Sequence, residues 1–166
     1  EYITRLPAAE TPAHTEGYEG SYHLCDMKGD ESEAVLSYII RDHDRARFEQ
    51  RKETVRALAA YLNTVYGEGT FEAEIRDSYY NMKEKILPHM DLIESAKAAM
   101  LAAGVEPKIV PIRGGTDGAR LSFRGLPCPN LGTGGYSYHG PYEHITAERL
   151  EKAAEIVINI VSENIR

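Results

Sequence analysis

The rhythm of apolar residues changes near Pro88, and that change constrains the fold of this chain more than any other feature. Ahead of it, the pattern predicts two strands, a long helix and a third strand. Behind it, helices alternate with short apolar runs and glycine-rich loops. A chain of 166 residues can bury one sizeable core or two small ones. The shift in rhythm favours two, with the boundary at about residues 80–90.

Residues 8–20 are rich in turn formers and predict a connection. Tyr22–Met27 and Ala34–Arg41 have strand character, with Lys28-Gly29-Asp30 supplying hairpin chemistry between them. From Ala46 to about Tyr66 the apolar positions Phe48, Val55, Leu58, Ala59, Leu62 and Val65 have helical spacing. Arg51, Lys52, Glu53 and Arg56 are expected on the opposite face. Asp44 suits the N-cap, and Gly67-Glu68-Gly69 ends the helix. Thr70–Arg76 alternates with period two and predicts the third strand.

In the second half, Leu92, Ile93, Ala96, Ala99, Met100 and Ala103 mark a helix closed by Gly104. Lys108–Ile112 has the composition of a short buried strand leading into a glycine loop. A strand, a loop, a short strand, a second loop and a helix give an α/β rhythm, in which sites form at strand ends. Thr146 caps the final helix, whose expected buried stripe is Leu150, Ala153, Val157, Ile160 and Val161.

The net charge of −7, from 26 acidic and 19 basic residues, argues against a sequence-independent grip on nucleic acid. No apolar run approaches the ~20 residues that span a bilayer. Cys25 and Cys128 make no metal-binding spacing, and a reduced, cytoplasmic setting is expected. The opening Glu1–Pro7 has the pattern of a helix end stopped by proline, without an initiator Met. The expectation is a chain that begins partway through a natural protein.

Two loops carry the chemistry. In Arg113-Gly114-Gly115-Thr116-Asp117-Gly118, glycines let backbone N–H groups approach a bound group, while Thr116 and Asp117 add hydrogen-bonding partners. The same residues would also make a tight turn in which Asp117 caps its own backbone. No Gly-Lys-Ser/Thr follows, so this is not a P-loop. The second loop, Gly134 to Glu143, holds His139 between Tyr138 and Gly140, where it could ligate zinc or serve as an ordinary loop histidine. At the end of the second strand, Arg41 could hold a carboxylate in its planar fork. Asp42, His43 and Asp44 belong more naturally to a salt-bridged strand-to-helix connection than to a metal cluster.

Several separated motifs occur together and in order: Thr15–Gly20, Tyr38–Arg45, Tyr79-Tyr80-Asn81-Met82, Pro111–Gly118 and Leu121–Pro127. As a set, covering nearly the whole chain, they resemble the peptidase T branch of the co-catalytic zinc metallopeptidases, which are tripeptide aminopeptidases. The fold class this implies is α/β and α+β. Residues 1–82 would be part of an inserted α+β lid or dimerisation domain, an antiparallel sheet with helices, lacking its first strand and most of its first helix. Residues 83–166 would be the C-terminal α/β portion of the zinc-binding catalytic domain.

By the same resemblance, His139 matches the last zinc ligand in a His-x-x-x-Glu pattern completed by Glu143. Arg41 matches the lid arginine that binds the substrate's terminal carboxylate, and Gly115, Thr116 and Asp117 match the loop beside the metal pair. Two zinc ions are implied per complete site, and the remaining ligands and the general-base glutamate are expected upstream of residue 1. No catalytic residue is therefore assigned within the chain. The resemblance implies a tripeptide substrate, a homodimer and association with the missing N-terminal part, while the charge and the lack of a long apolar run argue for no nucleic-acid or membrane partner. It further implies that the chain is inactive alone, and that its helices at 91–103 and 147–164 need covering. Rival readings are a non-catalytic lid or dimerisation module, and a related zinc hydrolase acting on dipeptides or acylated amino acids.

Overall fold

A computed structural model describes residues 1–164. The chain divides into two compact units. One comprises residues 1–81 with 111–114, and the other comprises 82–110 with the residues from 115 onward.

The first unit opens with a short helix α1 (Tyr2–Arg5), followed by β1 (Ser21–Gly29), β2 (Ala34–Arg41) and the long helix α2 (Arg45–Tyr66). The two strands pair antiparallel, from Ser21 opposite Arg41 to Gly29 opposite Ala34. The register shifts between Leu24 and Asp26, which leaves Cys25 as the extra residue of a bulge. The turn begins two residues later than expected, at Asp30–Glu33 rather than Lys28–Asp30. Asp30 Oδ1 accepts from the Ser32 amide and hydroxyl (both 2.7 Å) and from the Glu33 amide (3.1 Å). A carboxylate that gathers three donors makes a better turn than glycine at position 29, which remains in the strand.

Helix α2 begins as predicted, with the Asp44 carboxylate accepting from the Arg47 amide at 2.8 Å. It ends at Gly67, whose φ of 108° no side-chain-bearing residue tolerates well. Its inward face differs from expectation. Ala59 and Leu62 are buried, but so is Lys52, while Val65 is exposed. Lys52 lies inside because its ammonium meets Asp77 (3.0 Å) and Glu49 (2.7 Å) and sits over the Phe48 ring. A buried cation is tolerable only when paired in this way.

The third strand predicted at 70–76 does not form; this segment is extended but unpaired in any ladder. Its place is set from α2 instead. The Asn63 amide accepts from Phe71 N (2.7 Å) and donates to Phe71 O (2.9 Å), satisfying both backbone groups that a neighbouring strand would have taken. The Phe71 ring packs near Tyr2 and Tyr66.

The second unit is helical: α3 (Lys83–Ile86), a 3₁₀ turn (Leu87–His89), α4 (Met90–Ala102), α5 (Asp117–Phe123) and α6 (Ala147–Asn164). All six apolar positions expected to mark α4 turn inward, and Gly104 closes the helix at φ 73° with Val105 N donating back to Met100 O. The core joins α4 to α6 through Ala99, Ala103 and Ile156, with Met100, Val105 and Ile160 packed around them. Thr146 caps α6 as predicted, its Oγ1 accepting from Arg149 N at 3.4 Å.

The buried stripe of α6 runs through Ala153, Ile156 and Ile160, whereas Leu150, Val157 and Val161 are exposed. The sequence offers two apolar stripes on this helix, and α4 takes the one that includes Ile156. Lys108–Ile112 is not a strand either. Ile109 and Val110 are 68% and 66% exposed and no ladder partner occurs among the described residues. The mixed class expected from sequence nevertheless holds, with helices in both units and an antiparallel sheet in the first. No described helix is long and apolar enough to cross a membrane.

The Asp77 carboxyl is held below its ordinary range by the Tyr80 hydroxyl and by Lys52. A carboxyl depressed by folding contributes stability that is complete above the unfolded carboxylate range and is lost as pH falls through its lower folded value. The Asp77 side chain is about a third exposed, so solvent screens the pair, and Asp77→Asn should therefore lower stability at pH 7 by about 1 kcal/mol or less. Thermal midpoints followed from pH 7 to pH 3 should fall more steeply for the wild-type chain, so that the two curves converge in acid. Parallel curves would exclude this role.

Candidate functional site

In the first unit the expected carboxylate-reading residue, Arg41, ends β2 opposite Ser21. It is half-buried, and its Nε is enclosed without a hydrogen-bond partner. Asp42 turns away from it. The Asp42 side chain, only 1% exposed, takes a 2.8 Å bond from Arg51 Nε, and Arg51 Nη1 also reaches Glu10. Burial opposes the charge on Arg51, but the bonds to Asp42 and Glu10 outweigh it and raise the guanidinium above its ordinary range. Arg51 also lies over the Tyr22 ring. A permanently charged group thus ties the connection before β1 to the end of β2, fixing the base from which Arg41 projects.

His43 follows a different course from the two aspartates beside it. Its Nε2 lies 3.1 Å from the carbonyl of Ile112, its carbonyl accepts from Asn81 Nδ2 (3.1 Å), and the Tyr18 ring meets it edge-on at 5.2 Å. An imidazole nitrogen facing a carbonyl must carry the proton, so Nε2 is the donor and Nδ1, buried and unpartnered, is the acceptor in the neutral ring. One residue further on, the Arg113 guanidinium binds both the backbone oxygen and the hydroxyl of Thr15. Thus Asp42, His43 and Asp44 do not converge. They serve respectively as ion-pair partner, connector and helix cap, which is the salt-bridged connection expected.

The glycine loop expected at 113–118 is divided. Arg113 and Gly114 belong to the first unit, and Gly115 onward to the second. Thr116 and Asp117 are not in a free loop, because Thr116 N-caps α5 and Asp117 is that helix's first residue. Thr116 Oγ1 accepts from Ala119 N (3.4 Å) and from Asn130 Nδ2 (3.2 Å). Thr116, rather than Asp117, is the cap, and the Asp117 carboxylate and the Gly115 backbone remain exposed. Gly118 is buried where the chain returns. A Cβ at that position would lie 2.5 Å from Cys128 O and 3.0 Å from Asn130 Oδ1. Ser122 completes the packing by accepting from Cys128 N at 3.0 Å.

The second loop is closed by a short bridge between Tyr136 and His144, whose rings stack at 5.2 Å with Arg149 over Tyr136. At its tip His139 has φ 64°, a left-handed conformation uncommon for a residue with a side chain. Glu143 holds it there, since its carboxylate accepts from the His139 amide at 2.8 Å. The glutamate of the His-x-x-x-Glu pattern therefore braces the histidine backbone, leaving the imidazole exposed and with no ring hydrogen bond among the described residues. Among those residues no three His, Cys, Asp or Glu side chains gather around one point. One imidazole does not make a four-coordinate zinc site, so His139 is at most one ligand of such a site. Cys25 and Cys128 are free thiols.

Residues 8–163 match the peptidase family M20/M25/M40. The chain belongs to that family. Peptidase T from Caldanaerobacter subterraneus is 54% identical over 161 residues, covering 97% of this chain and 39% of the relative. Peptidase T from Desulfitobacterium hafniense is 56% identical over the same shares. The chain thus spans about two-fifths of the length of the curated relatives it matches. Among solved structures, a tripeptidase from Staphylococcus aureus superposes with a TM-score of 0.72 at 20% identity, over 98% of this chain and 43% of that one. The aminopeptidase PepT from Bacillus cereus gives 0.61 at 19% identity, over 99% and 44%. The chain therefore shares the fold of the matching part of these two structures.

Sequence reasoning singled out Arg41, Gly115, Thr116, Asp117 and His139. It missed the connecting roles of Thr15, Tyr18, Asn81 and the Arg113 side chain, although each lies within a motif that carried the resemblance. Gly118 offers a direct test of the second unit's packing. Gly118→Ala should destabilise that unit by about 1–3 kcal/mol, because the atoms it meets include backbone. Circular dichroism melts should show a lowered midpoint. A gain in stability, the usual result of Gly→Ala in an open helix, would refute the close approach.

Proposed function

We propose that this chain forms the lid and the closing catalytic segment of a zinc-dependent aminopeptidase that removes the N-terminal residue from tripeptides. The observation that carries this reading is identity above one half, sustained over 97% of the chain, with proteins named Peptidase T. In this reading residues 1–82 are the lid and 83–166 the end of the catalytic domain. The division of the chain after Asn81 supports that boundary.

Arg41 reads the peptide's terminal carboxylate. Its position at the end of β2, braced through Asp42 and Arg51, suits a residue that must present a charge in one direction. A carboxylate on a guanidinium fork gains both charge and geometry, which selects short peptides with a free C-terminus. His139 supplies one zinc ligand from a loop tip whose backbone Glu143 fixes. Bound zinc would supply Lewis-acid chemistry, polarising the scissile carbonyl and lowering the pKa of water, with His139 as this chain's contribution to holding it. The other donors and the proton-accepting carboxylate come from sequence outside this chain, so the 166 residues alone neither hold two zinc ions tightly nor turn over peptide. Gly115, Thr116 and Asp117 line the substrate side, with Thr116 fixed by its capping role. The complete enzyme is a cytoplasmic homodimer.

The test is a chimera in which residues 8–163 replace the matching part of the Caldanaerobacter relative. It should release the N-terminal residue of tripeptides, while the 166-residue chain does not. In the chimera, Arg41→Met should raise KM for a tripeptide about tenfold or more, the worth of a charge-assisted contact. A tripeptide amide, which lacks the carboxylate, should lose far less. His139→Ala should lower both bound zinc and kcat. Equal losses on peptide and amide would remove Arg41 from carboxylate recognition, and turnover by the isolated chain with stoichiometric zinc would overturn the division of ligands.

A further inference from the structure

The chain passes between its two units at three places: after Asn81, before Pro111 and after Gly114. A single residue of the first unit is bonded at two of them. The His43 carbonyl accepts from the Asn81 side chain, at the first passage, and its Nε2–H donates to the Ile112 carbonyl, beside the second. The Tyr18 ring packs edge-on against the imidazole and limits its rotation. Arg113, on Thr15, secures the same returning segment one residue further along.

These polar bonds are what hold the returning segment, because its apolar side chains contribute little. Ile109 and Val110 ahead of it are about two-thirds exposed and Ile112 is 44% exposed. Burial of so little apolar area is worth less than the hydrogen bonds made by His43 and Arg113. His43 is also two residues from Arg41 along the chain, and the segment it holds runs directly into Gly115, Thr116 and Asp117.

We propose that His43 is a positioning residue, a clamp that fixes the passages at Asn81 and Ile112 to the end of β2. Its effect on catalysis rests on the reading of Arg41 as the carboxylate-binding residue. With the clamp closed, the strand end bearing Arg41 and the returning segment 111–114 of the same unit share one anchor. The imidazole needs no contact with substrate to do this. It needs one donor at Nε2, and a glutamine amide can place a donor at similar reach.

Trypsin provides a readout that does not depend on activity, since Arg113 precedes Gly114 in the clamped segment and Lys28 is exposed at the far end of the hairpin. His43→Leu should accelerate cleavage after Arg113 about fivefold, roughly the worth of one net hydrogen bond, with cleavage after Lys28 unchanged. His43→Gln should restore the wild-type rate. Asn81→Leu, which leaves the imidazole in place, should accelerate cleavage after Lys83 instead. In the chimera, His43→Leu should raise KM for tripeptides about fivefold with a smaller change in kcat, and His43→Gln should stay within about twofold of wild type. No acceleration after Arg113, equal acceleration after Lys28, or a glutamine variant as susceptible as the leucine variant would each overturn the clamp. A chimera that turns over no tripeptide would count against the proposed function, while the protease results would still decide the role of His43.

Discussion

Two adjacent cations on α2 hold the first unit together. Arg51 and Lys52 lie about 100° apart around the helix and so reach in different directions. Arg51 ties Glu10, in the connection before β1, to Asp42 at the end of β2. Lys52 takes Asp77, in the segment after the helix, together with Glu49. A two-stranded sheet on one helix has a small core, and its only fully buried large side chain is Leu62 among the described residues. Buried ion pairs are costly places to seek stability, yet they are directional. Here they orient the chain segments on either side of α2, and the strand end that bears Arg41 is one of them.

Local signals were legible in the sequence. Asp44, Gly67, Gly104 and Thr146 begin or end helices where their chemistry said they should. The marking stripe of α4 was readable from its helical spacing, although Met90 and Leu101 fall outside it and remain exposed. What failed was whatever needed a distant partner. Residues 70–76 and 108–112 have strand-like composition, but a strand exists only when another supplies its ladder. Asn63 serves one of these segments in place of a strand, and nothing local announces that. Lys52 looked solvated because its partner Asp77 is 25 residues away. Two apolar stripes on α6 left the choice to α4.

The candidate site was legible by resemblance more than by pattern. The pattern around Thr116 allowed a ligand cradle or a self-capped turn, and the structure gives a third arrangement, a capped short helix with Gly118 pressed against a returning backbone. Around His139 the spacing to Glu143 was visible, but its physical meaning was not. The glutamate accepts from the histidine's amide and stabilises a left-handed backbone that would otherwise be uncommon, which leaves the ring free to act outward. Positions close in sequence at the glycine loop, Gly114 and Gly115, prove to belong to different compact units.

The discontinuous first unit also bears on the order in which the protein is assembled. Residues 111–114 are part of it, yet the ribosome makes them only after 82–110, which belong to the other unit. The hairpin and α2 can collapse early, since their contacts are local, but the lobe cannot be completed until synthesis has passed Gly114. During that interval the Ile112 acceptor and the Arg113 donors are absent, and the pockets that receive them at His43 and Thr15 stay hydrated. Residues 82–110 lie inside the open loop, and closing it carries a chain-entropy cost that grows only slowly with the loop's length. Completion of one unit is thereby made conditional on the growth of the other.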